Sequence, residues 1–341
     1  MKKKVFKKNM LVWTGILLFC LIIFVYGLCW AFSGQKFSVK WGISWSAGQA
    51  EFLGLDSKKV FLAILQDLRP ESIRLAANWK EVEPNPGKYD FQETDWYLDQ
   101  AQKAGVGVVM VVGQKAPRWP ECHVPEWTND LVGEQYREGA LGYLTAVVER
   151  YAQHPALVAW QVENEPFIRF RFGECKKFDQ DLVYLEISQV KKLDKEHPVV
   201  ITDSGELSTW LEAASAGDIF GTTLYRIVQT PKGRYWHYDW LPAGYYLLKS
   251  RLLGRGYEDF WVSELQAEPW FTNSSPLDTP VAIQEKSMNP ERLQKHLGYA
   301  QHMGASRVFL WGVEWWYFQK EKNNDSRYWE LIKKNLNQPA N

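Results

Sequence analysis

The sequence has no excess of charge of either sign and lacks the common signatures of metal and nucleotide sites. Its 40 lysine and arginine residues balance 40 aspartate and glutamate residues, so the formal net charge is zero. A protein that binds nucleic acid normally has a basic surface, and the composition gives no indication of one. The six histidines show no HExxH spacing, and no glycine-rich phosphate loop is present. We therefore expect no metal ion, no other cofactor and no nucleic-acid partner.

Cysteine is also scarce, and its four positions fall into two groups. Cys20 and Cys29 lie in an apolar N-terminal stretch, where packing is the ordinary role of a thiol. Cys122 and Cys175 lie in the main part of the chain and lack the CxxC spacing of many zinc sites. Each of these two follows a predicted strand, so we expect both on the same face of the fold. A disulfide between them and two separate thiols remain open alternatives.

Aromatic residues are abundant. The chain contains 18 Trp, 16 Tyr and 17 Phe, within an otherwise ordinary 46% of apolar residues. A large core could absorb many of these rings. A sugar-binding cleft would also use them, because a flat ring covers the apolar face of a pyranose while neighbouring polar groups bind its hydroxyls.

The N-terminus has the pattern of a membrane anchor. Five lysines lie within residues 1–10, and Leu11–Phe32 then contains no charged residue. At about 1.5 Å per residue this stretch is long enough to cross a hydrocarbon core of about 30 Å. We predict an uncleaved anchor with a cytoplasmic N-terminus, so that residues 35–341 lie outside. The alternative is a secreted protein that is cleaved near Ser33.

The rest of the chain alternates between short apolar runs and longer amphipathic stretches. Continuous apolar runs are typical of parallel strands that are buried on both faces. The predicted strands are Ser38–Ser44, Ser72–Ala77, Gly107–Gly113, Val158–Glu163, Val199–Thr202, Ile219–Tyr225, Phe260–Ser263 and Val308–Gly312. The predicted helices are Lys58–Leu68, Thr94–Lys103, Glu134–Ala152, Asp179–Glu196, Leu207–Ala216, Ala243–Leu253, Glu291–Met303 and Asp325–Asn335. Eight such units predict a single (β/α)8 TIM barrel over residues 35–341.

The connections that follow the strands are long and aromatic. In a (β/α)8 barrel these connections form the active face. Some of their rings are expected to pack and others to line a cleft. The aromatic residues in these connections are Trp119, Trp127, Phe170, Phe172, Tyr235, Trp236, Tyr238, Trp240, Trp270 and Phe271.

Two glutamates end apolar runs on this predicted face. Glu165 closes the run within Leu157–Phe167, and Glu264 follows the run that begins at Asp259. A pair of carboxyl groups on one barrel face suggests glycoside hydrolysis. One group protonates the leaving oxygen, and the other acts as a nucleophile or activates water.

These motifs resemble the large retaining clan of (β/α)8 glycoside hydrolases, which includes cellulases, mannanases and β-galactosidases. The resemblance, closest to glycosyl hydrolase family 5, rests on Asn164-Glu165-Pro166 and Glu264. Arg74, Tyr225 and Trp311 also occupy matching positions, and Trp79–Phe91 resembles the segment after strand two in several clan families. Two places depart from the cellulase pattern: Gly113-Gln114-Lys115 stands where a histidine is usual, and Thr223-Leu224-Tyr225 replaces His-x-Tyr.

The resemblance implies a role for each matching residue. Glu165 would be the acid/base and Glu264 the nucleophile. Asn164 would bind the sugar 2-hydroxyl, and Arg74 and Tyr225 would orient Glu264. Trp311 would form the floor of the sugar pocket. By their position in loops or at a strand end, further cleft candidates are Trp119, Trp270, Glu314, Gln114 and His123.

Together these patterns predict a membrane-anchored retaining glycosidase that cleaves a β-linked glycan. One alternative is an exo-acting, β-galactosidase-like enzyme whose loop Gln229–Leu241 closes one end of the cleft. A second is a non-catalytic glycan-binding barrel. A third is an accessory protein of glycan synthesis that transfers sugars at the same site.

Overall fold

The protein folds into a closed barrel of parallel strands, preceded by one long helix. The computed structural model describes residues 2–168, 173–175, 177–230, 232–272 and 274–337, without the side chains of 2–9 and 11. Eight strands close the barrel. The predicted TIM barrel is therefore confirmed.

All eight predicted strands are present, with ends shifted by a few residues. The longest difference lies in the strand that begins at Phe260, which continues through Glu264 to Gln266, so this glutamate lies within the strand and not after it. The barrel strands are β1 Lys40–Trp45, β2 Ser72–Ala76, β3 Gly107–Val112, β4 Leu157–Val162, β5 Val199–Asp203, β6 Ile219–Leu224, β9 Phe260–Gln266 and β10 Arg307–Trp311. They neighbour one another in the order β1-β10-β9-β6-β5-β4-β3-β2. The short strands β7 Ile227–Gln229 and β8 Tyr235–His237 pair as a hairpin in the connection after β6.

The helices surround the barrel and include several that the sequence patterns missed. The helix predicted from Lys58 ends as a π-helical turn at Ile64–Leu68, and the helix predicted from Leu207 begins only at Leu211. The α-helices are α1 Lys2–Phe32, α2 Ala47–Phe52, α3 Ser57–Ala63, α4 Trp79–Val82, α5 Gln92–Lys103, α6 Glu134–Tyr151, α7 Gln180–Leu193, α8 Leu211–Ala216, α9 Ala243–Leu252, α10 Val281–Gln284, α11 Pro290–Ala300, α12 Val313–Lys322 and α13 Arg327–Leu336.

The barrel interior is apolar at one end and polar at the other. A small buried cluster fills its lower part; its members are Val109, Ala159, Val200, Ile219, Trp261 and Phe309. Above this cluster the interior holds Arg74 and Gln161, both buried. Because each strand ends at the polar end, the loops that follow the strands surround the polar interior.

The long helix α1 is attached to the outside of the barrel by its last turns. Its segment Val12–Phe32 is long and apolar enough to cross a membrane, by length and composition alone. The backbone N–H of Gly244 donates a 2.8 Å hydrogen bond to Ser33 Oγ. A Cβ at Gly244 would lie 2.1 Å from the carbonyl oxygen of Cys29, so the close contact between α1 and α9 requires glycine at this position.

Candidate active site

The two glutamates singled out in the sequence line one cleft at the polar end of the barrel. Thr223, the cross-strand neighbour of Glu264, donates a 3.0 Å hydrogen bond from its hydroxyl to Glu165 Oε1. The cleft has a volume of about 1640 Å³. Ordinary small-ligand pockets have about 300–1,000 Å³, so the cleft has room for more than one sugar ring.

Glu264 is held by two donors, one on each carboxylate oxygen. Arg74 Nη1 lies 2.9 Å from Oε1, and the Tyr225 hydroxyl lies 2.7 Å from Oε2. Arg74 also donates to Asn164 Oδ1 and to Gln161 Oε1, each at 2.7 Å. A single buried guanidinium therefore connects β2, β4 and β9, and it fixes the amide of Asn164 relative to Glu264.

Glu165 is positioned by a strained backbone. Glu163 and Glu165 have φ values of 59° and 47°, in a region that residues with a Cβ seldom occupy. The backbone N–H of Glu165 donates to Thr202 Oγ1 at 2.9 Å, which holds the turn to β5. Such strain persists where the surroundings impose it, and it is concentrated at functional sites.

The carboxylate of Glu163 stabilises the neighbouring loop rather than entering the cleft. Its two oxygens accept hydrogen bonds from the backbone N–H groups of Gln114 and Lys115, at 2.8 and 2.6 Å. The side chain is fully buried. A Cβ at Gly113 would lie 2.6 Å from Glu163 Oε1. The loops that follow β3 and β4 are thereby joined at their first residues.

Glu165 lies in an environment that favours its protonated form. Burial, the largest cause, and the nearby carboxyl group of Glu264 together raise its pKa to about 7, while Lys115 and the Thr223 hydroxyl oppose the increase. The carboxyl groups of Glu165 and Glu264 therefore have different surroundings, since only Glu264 has an arginine partner.

A further carboxyl group close to this pair, Glu121, lines the same cleft and was missed in the sequence. Asn164 Nδ2 lies 3.4 Å from its Oε2. Burial, with smaller contributions from Glu264 and Glu165, raises the pKa of Glu121 to about 8, and Lys115 opposes this increase. Its sequence context, Trp119-Pro120-Glu121-Cys122, contains no motif, and its position depends on how the loop folds.

That loop is fixed by the disulfide Cys122–Cys175, whose Cα atoms lie 5.1 Å apart. The bond joins the connection after β3 to the connection after β4, and it confirms the pairing that the sequence left open. Gly173 packs so closely that a Cβ there would lie 2.5 Å from Glu121 Cβ. The disulfide and this contact together hold Glu121 beside Asn164.

Trp311 lies at the end of β10, and an arginine covers its ring. The Arg118 guanidinium lies 4.1 Å from the ring centroid of Trp311. Arg118 also forms ion pairs with Glu268 and with Glu314, the latter at 2.6 Å. Arg118, missed in the sequence, therefore belongs to the cleft wall beside Trp311.

Glu314 is fully buried beneath Arg118 and accepts a 2.7 Å hydrogen bond from the backbone N–H of Ser46. Glu314 is not among the described residues that line the cleft. Its contacts fit a residue that orients Arg118, so its sequence-based assignment as a substrate contact has no support from this position.

The other cleft candidates differ in exposure. Trp119 is 65% exposed at the mouth of the cleft. Trp270 packs edge to face on Tyr225, with 5.1 Å between ring centroids. His123 lines the cleft, whereas the Gln114 side chain is buried and accepts from Tyr136.

Among the remaining loop aromatics, Tyr238 and Phe271 also line the cleft, but others that the structure describes do not. Trp127 packs against Trp79 and donates to the Glu83 carbonyl at 3.0 Å, so it belongs to the core. Phe170 and Phe172 lie outside the described residues. Among the residues that are described, no three His, Cys, Asp or Glu side chains group closely enough to hold a metal ion.

Comparison with known proteins gives matches to β-glycoside hydrolases over parts of the chain. A family model described as beta-galactosidase, glycosyl hydrolase family 42, matches residues 62–201. Mannan endo-1,4-beta-mannosidase A of Podospora anserina is 27% identical over 146 residues, which cover 39% of this chain and 36% of that protein. Beta-galactosidase BbgII of Bifidobacterium bifidum is 31% identical over 112 residues, which cover 28% of this chain and 16% of that protein. The chain thus matches only about a third or less of these relatives' lengths.

Solved structures share the fold over most of the chain. A GH10 endoxylanase from a sugarcane soil metagenome superposes with a TM-score of 0.57 at 14% identity, covering 89% of this chain and 99% of that one. The beta-galactosidase of Marinomonas ef1 gives a TM-score of 0.56 at 14% identity, covering 80% of this chain and 54% of that one. These structures show the fold, and the family match and the sequence relatives support a glycoside hydrolase of the large (β/α)8 clan.

Proposed function

We propose that the protein is a retaining β-glycosidase in which Glu165 is the acid/base and Glu264 the nucleophile. One observation carries this proposal: two carboxyl groups line one cleft in different environments. Glu264 has Arg74 and Tyr225 on its oxygens, whereas the pKa of Glu165 is raised to about 7. Carboxyl groups that differ in this way are the usual arrangement for an acid and a nucleophile.

In the first step, a Glu264 oxygen attacks the anomeric carbon while Glu165 protonates the departing glycosidic oxygen. The sugar is then esterified to Glu264, and Glu165 is left as a carboxylate. In the second step, Glu165 takes a proton from a water molecule, which attacks the anomeric carbon and releases Glu264. Arg74 and Tyr225 stabilise the carboxylate as it leaves.

Substrate recognition is assigned to the residues around the pair. The Asn164 amide, fixed by Arg74 at 2.7 Å, would bind a sugar hydroxyl beside the reacting carbon. Trp119, Trp270 and Trp311 line the cleft and provide ring faces or edges for the sugar. The relatives are named for mannan and β-galactoside hydrolysis, which supports a β-linked substrate.

The hairpin after β6 favours a second form of this activity. Val228, Gln229 and Thr230 line the cleft wall, which supports the proposal that the loop Gln229–Leu241 limits the cleft, as an exo-acting β-galactosidase-like enzyme requires. Product length after digestion of a linear β-linked oligosaccharide distinguishes the two forms: release of single sugars indicates exo action, and internal cleavage indicates endo action.

We also propose that α1 anchors the enzyme in a membrane with residues 35–341 outside. The lysines of residues 1–10 precede the charge-free stretch, as expected for a cytoplasmic N-terminus. The disulfide Cys122–Cys175 is typical of an oxidising, extracytoplasmic compartment. The contact of Gly244 with Cys29 supports retention of α1 over cleavage near Ser33.

The test is hydrolysis of a panel of aryl β-glycosides by the full chain and three variants. Glu264→Ala should abolish activity. Glu165→Ala should slow substrates with poor leaving groups far more than activated ones, because a good leaving group needs no proton. Glu149→Ala, an exposed position on α6, serves as the control and should match the wild type. Binding of glycans without any hydrolysis would instead indicate a non-catalytic barrel.

A further inference from the structure

The helix α1 runs in the same direction as α9, against which it packs. Three successive contacts establish this direction. The Tyr26 hydroxyl donates to the Trp240 carbonyl at 2.6 Å, and Cys29 contacts Gly244. Further along, the Arg251 guanidinium lies 5.9 Å from the Phe32 ring centroid. The partners advance together along both elements, so the helices are parallel.

This direction places the apolar part of α1 beyond the cleft end of the barrel. Each barrel helix begins where its preceding strand has ended, so the N-terminus of α9 lies on the side of the active face. Because α1 is parallel to α9, the residues before Tyr26 extend past that N-terminus. The exposed segment Val12–Val25 therefore projects from the end of the barrel that carries the cleft.

The length of this segment brings the barrel close to the bilayer. At about 1.5 Å per residue, Val12–Val25 is about 21 Å long, shorter than a hydrocarbon core of about 30 Å. Spanning the core therefore requires apolar residues up to about Trp30. Trp30 is level with the first turn of α9, so the loops around the cleft would reach the membrane surface.

The exposed large apolar side chains of the barrel also lie mostly at the end that carries the cleft. Most of those in the described residues lie in connections that follow a strand, and together they form what we call the apolar rim. Its members are Phe52, Tyr89, Trp119, Val132, Phe178, Leu207, Trp236, Trp240, Leu277, Val281 and Ile283. The exceptions are Tyr184 and Leu185 on α7, Leu211 at the start of α8 and Leu252 at the end of α9. Exposed apolar groups concentrated on one face mark an interaction surface.

We infer that the mouth of the cleft faces the bilayer and that the substrate is a glycoside of a membrane lipid. Tryptophan and tyrosine favour the membrane interface, which suits Tyr26, Trp30, Trp236 and Trp240. Trp119 and Leu207 belong both to the apolar rim and to the cleft lining. The sugar of such a glycoside would thus enter the cleft, while the apolar part of the lipid stays against the apolar rim.

This inference rests on the proposed glycosidase activity and membrane anchor, and it specifies the bond that is cleaved. The glycosidic bond between the anomeric carbon and the lipid oxygen breaks. Glu165 supplies the proton to the lipid alcohol, and water supplies the hydroxyl group to the released sugar. No other reactant is needed.

Orientation is tested without measuring activity. In a Cys20→Ala/Cys29→Ala background, an environment-sensitive dye is attached at Leu277→Cys or at Leu252→Cys. These leucines are 49% and 86% exposed and lie at opposite ends of the barrel. The full chain is reconstituted in phosphatidylcholine vesicles with brominated lipid. Quenching of the dye at position 277 should be at least about threefold stronger than quenching of the dye at position 252. Equal quenching at the two positions, or stronger quenching at position 252, overturns the inference.

Substrate class is tested with the sugar that the aryl glycoside panel identifies. Vesicles containing the hexadecyl β-glycoside of that sugar are compared with a soluble β-linked tetrasaccharide of the same sugar. The vesicle-anchored enzyme should cleave the hexadecyl glycoside at least about tenfold faster. Preference for the tetrasaccharide overturns the proposal of a lipid substrate and leaves the glycosidase proposal intact. Failure to hydrolyse any aryl glycoside overturns both proposals.

Discussion

Arg74 Nη1 lies 2.9 Å from Glu264 Oε1, and the same guanidinium holds Asn164 and Gln161. The planar fork of arginine makes these three contacts at once, and a lysine ammonium has no equivalent geometry. The residue is buried, so the contacts are shielded from water. Glu264 and Asn164 are thus positioned by one side chain.

Arg74→Lys should therefore lower kcat/KM by about 100-fold, the cost of a small misplacement at a reacting centre. The charge is retained, but Asn164 and Gln161 lose their fixed partner. Steady-state kinetics on an aryl β-glycoside measures the effect. Arg137→Lys, at an ion pair with Asp179 on the surface, is the matched control. An Arg74→Lys enzyme with the activity of the control would contradict the role given to Arg74.

Activity should decline on the alkaline side of about pH 7, because the acid must carry a proton when the glycosidic bond breaks. Burial raises the pKa of Glu165 to about 7; below that pH the carboxyl group is protonated, and above it the proton is lost. The measurement is a kcat/KM profile with a poor leaving group. General acid catalysis contributes about 10²–10⁴-fold, so the decline should be large. Glu165→Gln should show no such alkaline limb.

Glu121→Gln should retain nearly wild-type activity at pH 6–7, whereas Glu121→Ala should lose up to about tenfold. The raised pKa of Glu121, about 8, keeps the carboxyl group neutral below that pH, and glutamine resembles the neutral form. Alanine leaves Asn164 Nδ2 without its partner, and one hydrogen bond is worth about 0.5–1.5 kcal/mol.

The pH dependence of kcat/KM tests whether the charge of Glu121 matters. Above about pH 8 the wild type gains a charge beside Glu165 that Glu121→Gln cannot gain, so the two profiles should diverge there. Glu126→Gln, an exposed position in the same loop, is the control. A purely structural role for Glu121 would leave the shape of the pH profile unchanged in Glu121→Gln.

Replacing both cysteines of the disulfide with serine should reduce the free energy of unfolding and also impair the site. The bond closes a separation of 53 residues, for which the chain-entropy estimate is about 4 kcal/mol. Equilibrium unfolding in denaturant measures the loss. Because Glu121 is next to Cys122, kcat/KM should fall even where the variant remains folded. Cys20→Ser, in α1, should change neither quantity.

The barrel and its clan could be predicted because both depend on local patterns. Runs such as Gly107–Val112 are apolar at nearly every position, as buried parallel strands require, and the structure confirms them. Glu165 and Glu264 stood out because a charge ends or interrupts such a run. The structure brings both into one cleft, and their catalytic roles stay predictions.

Arg118 and Glu121 could not be predicted, because loop geometry brings them into the site. Both have positive φ values, 82° and 71°, and their positions depend on the disulfide and on Gly173, a contact distant in sequence. The buried position of Glu314 was missed for a similar reason. Its partner Arg118 lies 196 residues earlier, and no local pattern records such a contact.

The hydroxyl of Thr223 has a consequence for stereochemistry. It binds Glu165, and its own residue is paired with Glu264 across neighbouring strands. Adjacent strands are about 4.8 Å apart, close to the separation of about 5–5.5 Å between the carboxyl groups of retaining glycosidases. The Glu165 carboxyl group is therefore held by a residue that lies one strand step from Glu264. Under the proposed retaining mechanism, a bulky side chain at position 223 should widen the gap between the two carboxyl groups towards that of inverting enzymes, so position 223 would bear on which anomer is released.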